Sequence, residues 1–231
     1  MNIAIILASG MGKRMKARKN KTLLDLEGKP VIYHTIQVFE KTPRVNRIIL
    51  VVRQEEIEEF KQIVRKNKFK KIMAVIAGGD QRQDSGYNAV RFAGAAVKNK
   101  NNLILIIHNG ANPFVTKKEI QETVKFAKKF GACAVAHKTK DTIRQVDKRG
   151  MSVGIIDRSA LWNMQTPQTI RYSLAKRAFE KAKRENYLGT DDIALVERLG
   201  KKAKIIEASE NNFKITTPPD LELAKLIIKK Q

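Results

Sequence analysis

Short apolar runs alternate with longer amphipathic segments through the first 136 residues of this chain. Two of the runs, IILVV at 48–52 and LILII at 103–107, are hydrophobic without interruption. Continuous hydrophobicity is typical of strands that are covered on both faces. The predicted strands are 2–8, 47–52, 72–77, 103–107 and 132–136, and the predicted helices between them are 31–41, 55–66, 82–98 and 116–130. This alternation predicts an α/β fold with a doubly wound, parallel sheet.

After residue 140 the pattern changes, because two short strand-like segments, 141–147 and 152–157, flank a Lys-Arg-Gly turn. A hairpin there would make a poor core element, so we expect it to project over the site or toward a second subunit. The remaining predicted elements are helices at 172–185, after the GTDD sequence at 189–192 and after Thr217, and short strands at 203–207 and 212–215. No linker or repeat divides the chain, so we expect one domain, 1–231, with 138–160 as a projecting arm.

The composition narrows the class of protein. With 231 residues, of which 42% are hydrophobic and 30% are charged, the chain is long enough for one sizeable core. Its single cysteine, Cys133, lies in an apolar run and is expected to be a buried, unreactive thiol. The N-terminal sequence lacks the basic region and the long apolar run of a signal peptide or a spanning helix. These features favour a cytoplasmic protein that does not bind a membrane.

The charge of the chain raises a second possibility. Its formal net charge is +23, from 46 Lys and Arg residues against 23 Asp and Glu residues. Such a surface is expected to bind polyanions nonspecifically at low salt. Much of the excess lies on the outer faces of predicted helices, and no zinc-finger spacing, aromatic RNA-binding motif or basic zipper accompanies it. A nucleic-acid-associated protein therefore remains an alternative rather than the favoured interpretation.

A glycine turn followed by a dense group of cations comes directly after the first predicted strand. The turn is Ser9-Gly10-Met11-Gly12, and the cations are Lys13, Arg14, Lys16, Arg18, Lys19 and Lys21. Glycines allow consecutive backbone N–H groups to turn inward and form an anion-binding nest, and nearby cations add fixed positive charge. The spacing fits neither a dinucleotide fingerprint nor a Walker A loop. The segment is interpreted as an oligophosphate cradle.

Two other distinctive loops follow the third and fourth predicted strands. The first is GGDQRQDS at 78–85, which combines a flexible approach with capping side chains for the next helix. The second is HNGANPF at 108–114, an irregular turn that ends in a proline before the next helix. In doubly wound sheets ligands bind beyond the carboxyl ends of the strands. We therefore expect both loops and the glycine turn to converge on one site.

Seven stretches together resemble the family of cytidylyltransferases that attach CMP to a sugar-alcohol phosphate, above all 2-C-methyl-D-erythritol 4-phosphate. They are LASGMGKRM with Lys21, GGDQRQDS, HNGANPF, KDTI, RSALWNMQTPQ, GTDD and NNFKITTPPDL, spread in the family's order from Leu7 to Leu221. The resemblance implies a Rossmann-like, mostly parallel mixed sheet and a homodimer joined through the projecting arm. It also implies Mg²⁺-dependent use of CTP, release of pyrophosphate and a role in isoprenoid-precursor synthesis.

The resemblance also implies roles for individual residues. The catalytic group would be Arg14, Lys21 and Lys214. The nucleotide-binding group would be Ala8, Ser9, Gly10, Met11, Gly12, Lys13, Gly79, Asp80, Ser85, Asn109 and Gly110. The group that binds the polyol phosphate would be Asn109, Asn112, Thr142, Arg158, Thr166 and Thr190, with Arg158 entering from the partner subunit. The metal ligands are not assigned.

Three positions depart from the family's pattern. Asn109 and Asn112 stand where the family has an aspartate and an arginine, so a carboxylate and a guanidinium are replaced by amides. Asn20 stands where the family usually has proline before the catalytic lysine, and we expect it to loosen the loop that carries Lys21. Two alternatives stay open: a ribitol 5-phosphate cytidylyltransferase, and a catalytically impaired relative that still binds nucleotide.

Overall fold

A seven-stranded sheet forms the centre of the computed structural model, which describes residues 1–10 and 20–230. Two further sheets have two strands each, β2-β3 and β8-β9. The strands of all three sheets are β1 (Asn2–Leu7), β2 (Asp25–Leu26), β3 (Lys29–Pro30), β4 (Arg47–Val52), β5 (Ile72–Ala77), β6 (Ile104–Asn109), β7 (Ala132–Lys138), β8 (Ile143–Val146), β9 (Ser152–Ile156), β10 (Trp162–Arg171) and β11 (Lys204–Glu207). The helices are α1 (Val31–Glu40), α2 (Ile57–Lys66), α3 (Arg82–Ala96), α4 (Lys117–Phe130), α5 (Tyr172–Arg184), α6 (Asp192–Glu197) and α7 (Pro218–Lys229). None of the helices in the described ranges is long and apolar enough to cross a membrane.

The strand order of the central sheet is β11-β7-β10-β6-β1-β4-β5. All neighbours pair in parallel except β10, which runs antiparallel to both β6 and β7. The chain leaves β1 toward β4 and β5 on one side and returns to β6 on the other, so β1 and β6 lie at the topological switch point. The predicted α/β class and the mixed, mostly parallel sheet are confirmed.

The register of the parallel strands brings the predicted loops to one edge. Leu7, the last residue of β1, lies beside Val51 of β4 and Asn109 of β6. Val52 of β4 in turn lies beside Ala77 of β5. The segments that follow these strands therefore begin at a common level above the sheet.

Both faces of the sheet are buried, which explains the uninterrupted apolar runs. Side chains of β1 alternate between the two cores: Ile3 and Ile5 pack with α3, α5 and α6, whereas Ala4 and Ile6 pack with α1, α2 and α4. A third, smaller cluster joins Leu26 and Ile215 to α7. The helices packed on the two faces of the sheet thus support the strand ends beneath the site.

The sequence prediction missed β10 and was wrong at 212–215. The ten residues of β10, WNMQTPQTIR, are largely polar and contain a proline, so they do not read as a central strand. In the fold this polarity is satisfied internally, because the Gln168 side chain accepts hydrogen bonds from the backbone of Asp192 at 2.9 Å and Ile193 at 3.2 Å. Residues 212–215 are irregular instead of forming a strand.

The predicted hairpin is a separate two-stranded sheet made of β8 and β9. Its apolar side chains face solvent in this single chain: Val146, Met151, Val153 and Ile155 are between 58 and 67% exposed. The hairpin is thus separate from the central sheet, and its role as an arm over the site or toward a second subunit stays a prediction.

Candidate active site

A cavity of about 420 Å³ opens at the carboxyl ends of the parallel strands. Its lining combines residues from the three predicted loops with two lysines from elsewhere in the chain. The lining residues are Leu7, Ala8, Ser9, Gly10, Lys21, Thr22, Gly79, Asp80, Gln81, Arg82, Asn109, Ala111, Lys214 and Thr216. The three loops therefore meet at one cavity, as predicted.

A second cavity, of about 330 Å³, adjoins the first. The two share Arg82, Asn109 and Lys214, which therefore form the border between them. The other residues around the second cavity are Met164, Gln165, Thr166, Gln168, Thr190 and Asp191. Several residues predicted to bind nucleotide line the first cavity, and two predicted to bind the polyol phosphate, Thr166 and Thr190, line the second.

The turn after β5 is packed against the turn after β1. The Ser85 hydroxyl lies 2.9 Å from the Ser9 hydroxyl and accepts a hydrogen bond from the Gly79 backbone N–H at 3.1 Å. A Cβ at Gly78 would lie 2.6 Å from the Ser85 oxygen, so only glycine allows this approach. Ser85 is fully buried, and it therefore holds the two turns together rather than lining the cavity.

Arg82 and Asp192 form a half-buried ion pair that was not predicted from the sequence. The two guanidinium Nη atoms donate to the two carboxylate oxygens at 3.0 and 2.7 Å, and Asp192 is 1% exposed. Burial lowers the pKa of Arg82, but the charge and hydrogen bonds of Asp192 outweigh it, so the net shift of the pKa is upward. Arg82 lies in the GGDQRQDS motif and Asp192 in the GTDD motif. Their opposite charges were the one feature of the sequence that could have indicated the ion pair.

The two unusual amides belong to one partly buried hydrogen-bond network. Asn109 accepts a hydrogen bond from Arg82 Nε at 3.3 Å, and its own amide donates to Asn112 Oδ1 at 3.4 Å. The Asn112 amide reaches Gln165 at 3.4 Å and Asn212 at 3.5 Å. Asn112 is fully buried and, among the described residues, is not part of either cavity lining. Asn109 lies at the cavity border.

Lys21 and Lys214 both line the first cavity. The Lys21 ammonium donates to the Ile215 carbonyl at 2.9 Å, which ties it to the segment that carries Lys214. That segment is anchored by Asn212, whose amide donates to Glu119 Oε1 at 3.1 Å and to the Thr166 carbonyl at 3.0 Å. The positions of both lysines are therefore set by contacts with the body of the protein.

The expectation that Asn20 loosens the loop before Lys21 is wrong. Asn20 is 1% exposed, and its amide nitrogen donates to the Ala8 carbonyl at 2.6 Å and to Glu56 at 2.8 Å. Its amide oxygen accepts from the backbone and the hydroxyl of Thr22. A proline restricts φ, whereas this amide fixes the segment by four hydrogen bonds.

The remaining predicted residues fall in three places. Arg14, Met11, Gly12 and Lys13 lie outside the described residues. Thr142 and Arg158 lie on the arm, where Arg158 Nη1 donates to the Lys140 carbonyl at 2.6 Å, and neither is part of the two cavity linings. Gly110 is buried, and a Cβ there would lie 2.9 Å from Ile32, so this glycine permits close packing under the site.

His108 and Cys133 are structural residues of the core. His108 is fully buried and its Nε2–H donates to the Asn112 carbonyl at 3.0 Å. Burial lowers the pKa of His108 to about 4, so the imidazole is neutral near pH 7. Cys133 is buried, as predicted, and burial raises the pKa of its thiol to about 12, which disfavours the reactive thiolate.

The comparisons with known proteins agree with this geometry. A sequence model of the family described as 2-C-methyl-D-erythritol 4-phosphate cytidylyltransferase matches residues 2–230. The chain is 45% identical to 2-C-methyl-D-erythritol 4-phosphate cytidylyltransferase of Geobacillus kaustophilus over 97% of this chain and 96% of that protein. It is 41% identical to the enzyme of that name from Clostridium acetobutylicum over 100% of this chain and 98% of that protein.

Solved structures with the same fold carry related names. The crystal structure of 4-diphosphocytidyl-2C-methyl-D-erythritol synthase from Anaerococcus prevotii has a TM-score of 0.85 and 26% identity, and the match covers 99% of this chain and 96% of that one. The 2-C-methyl-D-erythritol 4-phosphate cytidylyltransferase of Francisella tularensis has a TM-score of 0.81 and 28% identity, with 97% and 98% covered.

Proposed function

Because this chain belongs to the 2-C-methyl-D-erythritol 4-phosphate cytidylyltransferase family, we propose that it transfers CMP from CTP to that polyol phosphate and releases pyrophosphate, a step of isoprenoid-precursor synthesis. The observation that carries the proposal is the pair of adjoining cavities with a shared cationic border at Arg82 and Lys214. The first cavity would hold CTP and the second the acceptor.

The reaction joins two anions, so the main task of the protein is to hold them in line against their mutual repulsion. The acceptor attacks through a phosphate oxygen that already carries charge, so little general-base help is needed. Lys21 and Arg14 would bind the triphosphate and the charge that develops on the transferred phosphorus, while Lys214 binds at the border. The backbone of Ser9 and Gly10 would contribute N–H donors.

The proposed Mg²⁺ would enter mainly with the nucleotide. Within residues 1–10 and 20–230, no group of three or more His, Cys, Asp or Glu side chains could hold a metal ion. The first cavity is lined by the carboxylate of Asp80. One carboxylate fits a magnesium ion that keeps several waters and is bound largely by phosphate oxygens. When bound, the ion would neutralise triphosphate charge.

A homodimer would complete the second cavity. Thr142 and Arg158 lie on the arm, 138–160, outside both cavities of their own chain, and the arm exposes five large apolar side chains. In the proposed dimer the partner subunit covers the apolar side chains of the arm. The arm in turn brings Arg158 to the acceptor phosphate in the partner's second cavity. The proposal includes a cytoplasmic location, which the sequence favours.

The proposal is tested by following pyrophosphate release from CTP and Mg²⁺ with 2-C-methyl-D-erythritol 4-phosphate or ribitol 5-phosphate. We expect turnover with the first acceptor, at least about tenfold less with the second, and loss of turnover in Lys214→Met. Lys202→Met, which changes an exposed lysine, is the matched control. A silent parent protein with an active Asn109→Asp, Asn112→Arg variant would instead indicate a catalytically impaired relative.

A further inference from the structure

Asn20 connects two walls of the first cavity. Its amide nitrogen donates to the carbonyl of Ala8, the residue directly after β1, at 2.6 Å. Its amide oxygen accepts from the Thr22 backbone N–H at 3.0 Å and from the Thr22 hydroxyl at 2.9 Å. Ala8, Lys21 and Thr22 all line the cavity, so one buried side chain sets the distance between its walls.

The segment that carries Lys21 needs such support. Residues Lys21–Leu23 form a single 3₁₀ turn of three residues with Asn20 as its N-cap. A turn of this length has poor internal hydrogen-bond geometry and is not stable by itself. The cap and the bond to Ala8 therefore determine where the turn lies, and with it the origin of the Lys21 side chain.

Glu56 supplies a second fixed point for Asn20. One oxygen of its carboxylate accepts from the Asn20 amide at 2.8 Å, and the other accepts from Arg53 at 2.6 Å. Glu56 is only 6% exposed, and the guanidinium of Arg53 compensates its charge. Arg53 directly follows β4, so the network joins the turn with Lys21 to the ends of both β1 and β4.

From these contacts we infer that Asn20 and Glu56 are positioning residues for Lys21. Neither side chain lines the first or the second cavity, and both act by holding the 3₁₀ turn beside the end of β1. The catalytic consequence rests on the proposed function, whereas the effect on the Lys21 amine does not. A displacement of about 1 Å of a group that orients substrate can reduce turnover by about 100-fold.

The hydrogen bonds of the Asn20 side chain suggest two variants that test the positioning role. Asn20→Asp keeps the acceptor for Thr22 but places a second carboxylate against Glu56 and leaves the Ala8 carbonyl without its donor. Adding Glu56→Gln to Asn20→Asp restores a hydrogen bond between the two side chains, because the new amide at position 56 can donate to the carboxylate at position 20. We expect Asn20→Asp to lower kcat by at least about tenfold, with a smaller change in the KM for CTP, and the double variant to regain several-fold of kcat.

Asn20→Ser is the second variant, because serine still caps the turn but is too short to reach both Ala8 and Glu56. It should fold and still show reduced kcat. Asn46→Asp is the matched control: it changes an exposed asparagine whose oxygen accepts from Asn2, at the opposite end of β1. Its kcat and melting temperature should equal those of the parent protein.

The position of the Lys21 amine can also be probed without turnover. Acetic anhydride acylates lysine amines, and mass spectrometry measures the rate at Lys21 relative to the exposed Lys201. We expect the relative rate at Lys21 to change at least about twofold in Asn20→Asp and Asn20→Ser and to return toward the parent value in the double variant. If the parent protein makes no pyrophosphate but these rates respond, the proposed function fails and the positioning role stands. If the parent turns over and both single variants leave kcat and the Lys21 rate unchanged, the positioning role is overturned.

Discussion

The guanidinium of Arg82 meets the carboxylate of Asp192 in two parallel hydrogen bonds of 3.0 and 2.7 Å at the border of the two cavities. The pair joins the first residue of α3 to the first residue of α6 and so links the loops that flank both cavities. Asp192 is almost fully buried, and the guanidinium of Arg82 supplies the counter-charge beside its carboxylate.

Replacing Asp192 by Asn should destabilise the protein and reduce turnover together. The change leaves the guanidinium of Arg82 without its carboxylate partner, and because that side chain is 32% exposed, solvent screens part of the cost, so we expect the free energy of unfolding to fall by about 1–2 kcal/mol. The double variant Arg82→Met, Asp192→Leu should recover most of this stability in urea denaturation but not the activity. Glu58→Gln, which breaks an exposed pair with Lys61, is the control and should change stability by less than about 0.5 kcal/mol. A double variant as unstable as the single one would contradict this account.

The buried imidazole of His108 should make the protein less stable in acid. Its pKa is lowered by burial from 6.5 to about 4, so between these values the unfolded chain binds a proton that the folded protein does not. The stability associated with the neutral imidazole is therefore complete above pH 6.5 and is lost as the pH falls toward 4, by at most about 3 kcal/mol. His108→Gln keeps a donor for the Asn112 carbonyl but cannot titrate. Urea denaturation from pH 7 to pH 4 should show a shallower decline in this variant, and equal slopes would contradict the prediction.

The amides of Asn109 and Asn112 should behave as a coupled pair. Asn112→Arg alone would bury a guanidinium among neutral amides, and we expect it to lower the free energy of unfolding by about 3 kcal/mol or more. Adding Asn109→Asp provides a carboxylate next to it and should restore part of the loss. Chemical denaturation of the two single variants and the double variant measures this coupling. Additive effects would show that the two positions are independent.

The parts of the fold that follow from periodicity were predictable from the sequence. β1, β4 and β6 are apolar because they are covered on both faces, while β5 at the edge of the sheet is partly buried. The loops after β1, β5 and β6 meet because parallel strands end at one edge of the sheet. β10 was not predictable, because its buried Thr166 and Gln168 are satisfied by partners that are distant in sequence. The same reason hid the ion pair of Arg82, whose partner is 110 residues away. The stabilising role of Asn20 was also hidden, since it depends on Glu56.

Two inactive variants should restore activity when they are mixed, if the arm acts on the partner subunit. A heterodimer of Lys214→Ala and Arg158→Ala chains contains one site in which the cavity residues and the partner's arm are both intact. After unfolding and refolding an equimolar mixture, we expect about a quarter of the parent activity. Each variant refolded alone is the control. No recovery in mixtures whose heterodimers are verified by mass spectrometry would place Arg158 and Lys214 in the same chain's site, or outside it.

The central claim is that the cavity at the ends of β1, β5 and β6 binds the triphosphate of CTP. The most direct measurement is a crystal structure of the protein with CTP and Mg²⁺. We predict that the triphosphate lies against Ser9, Gly10 and Lys21 and that the adjoining cavity beside Thr166 and Thr190 remains available for the acceptor. CTP bound elsewhere on the protein, or a triphosphate that does not contact Lys21, would contradict the account.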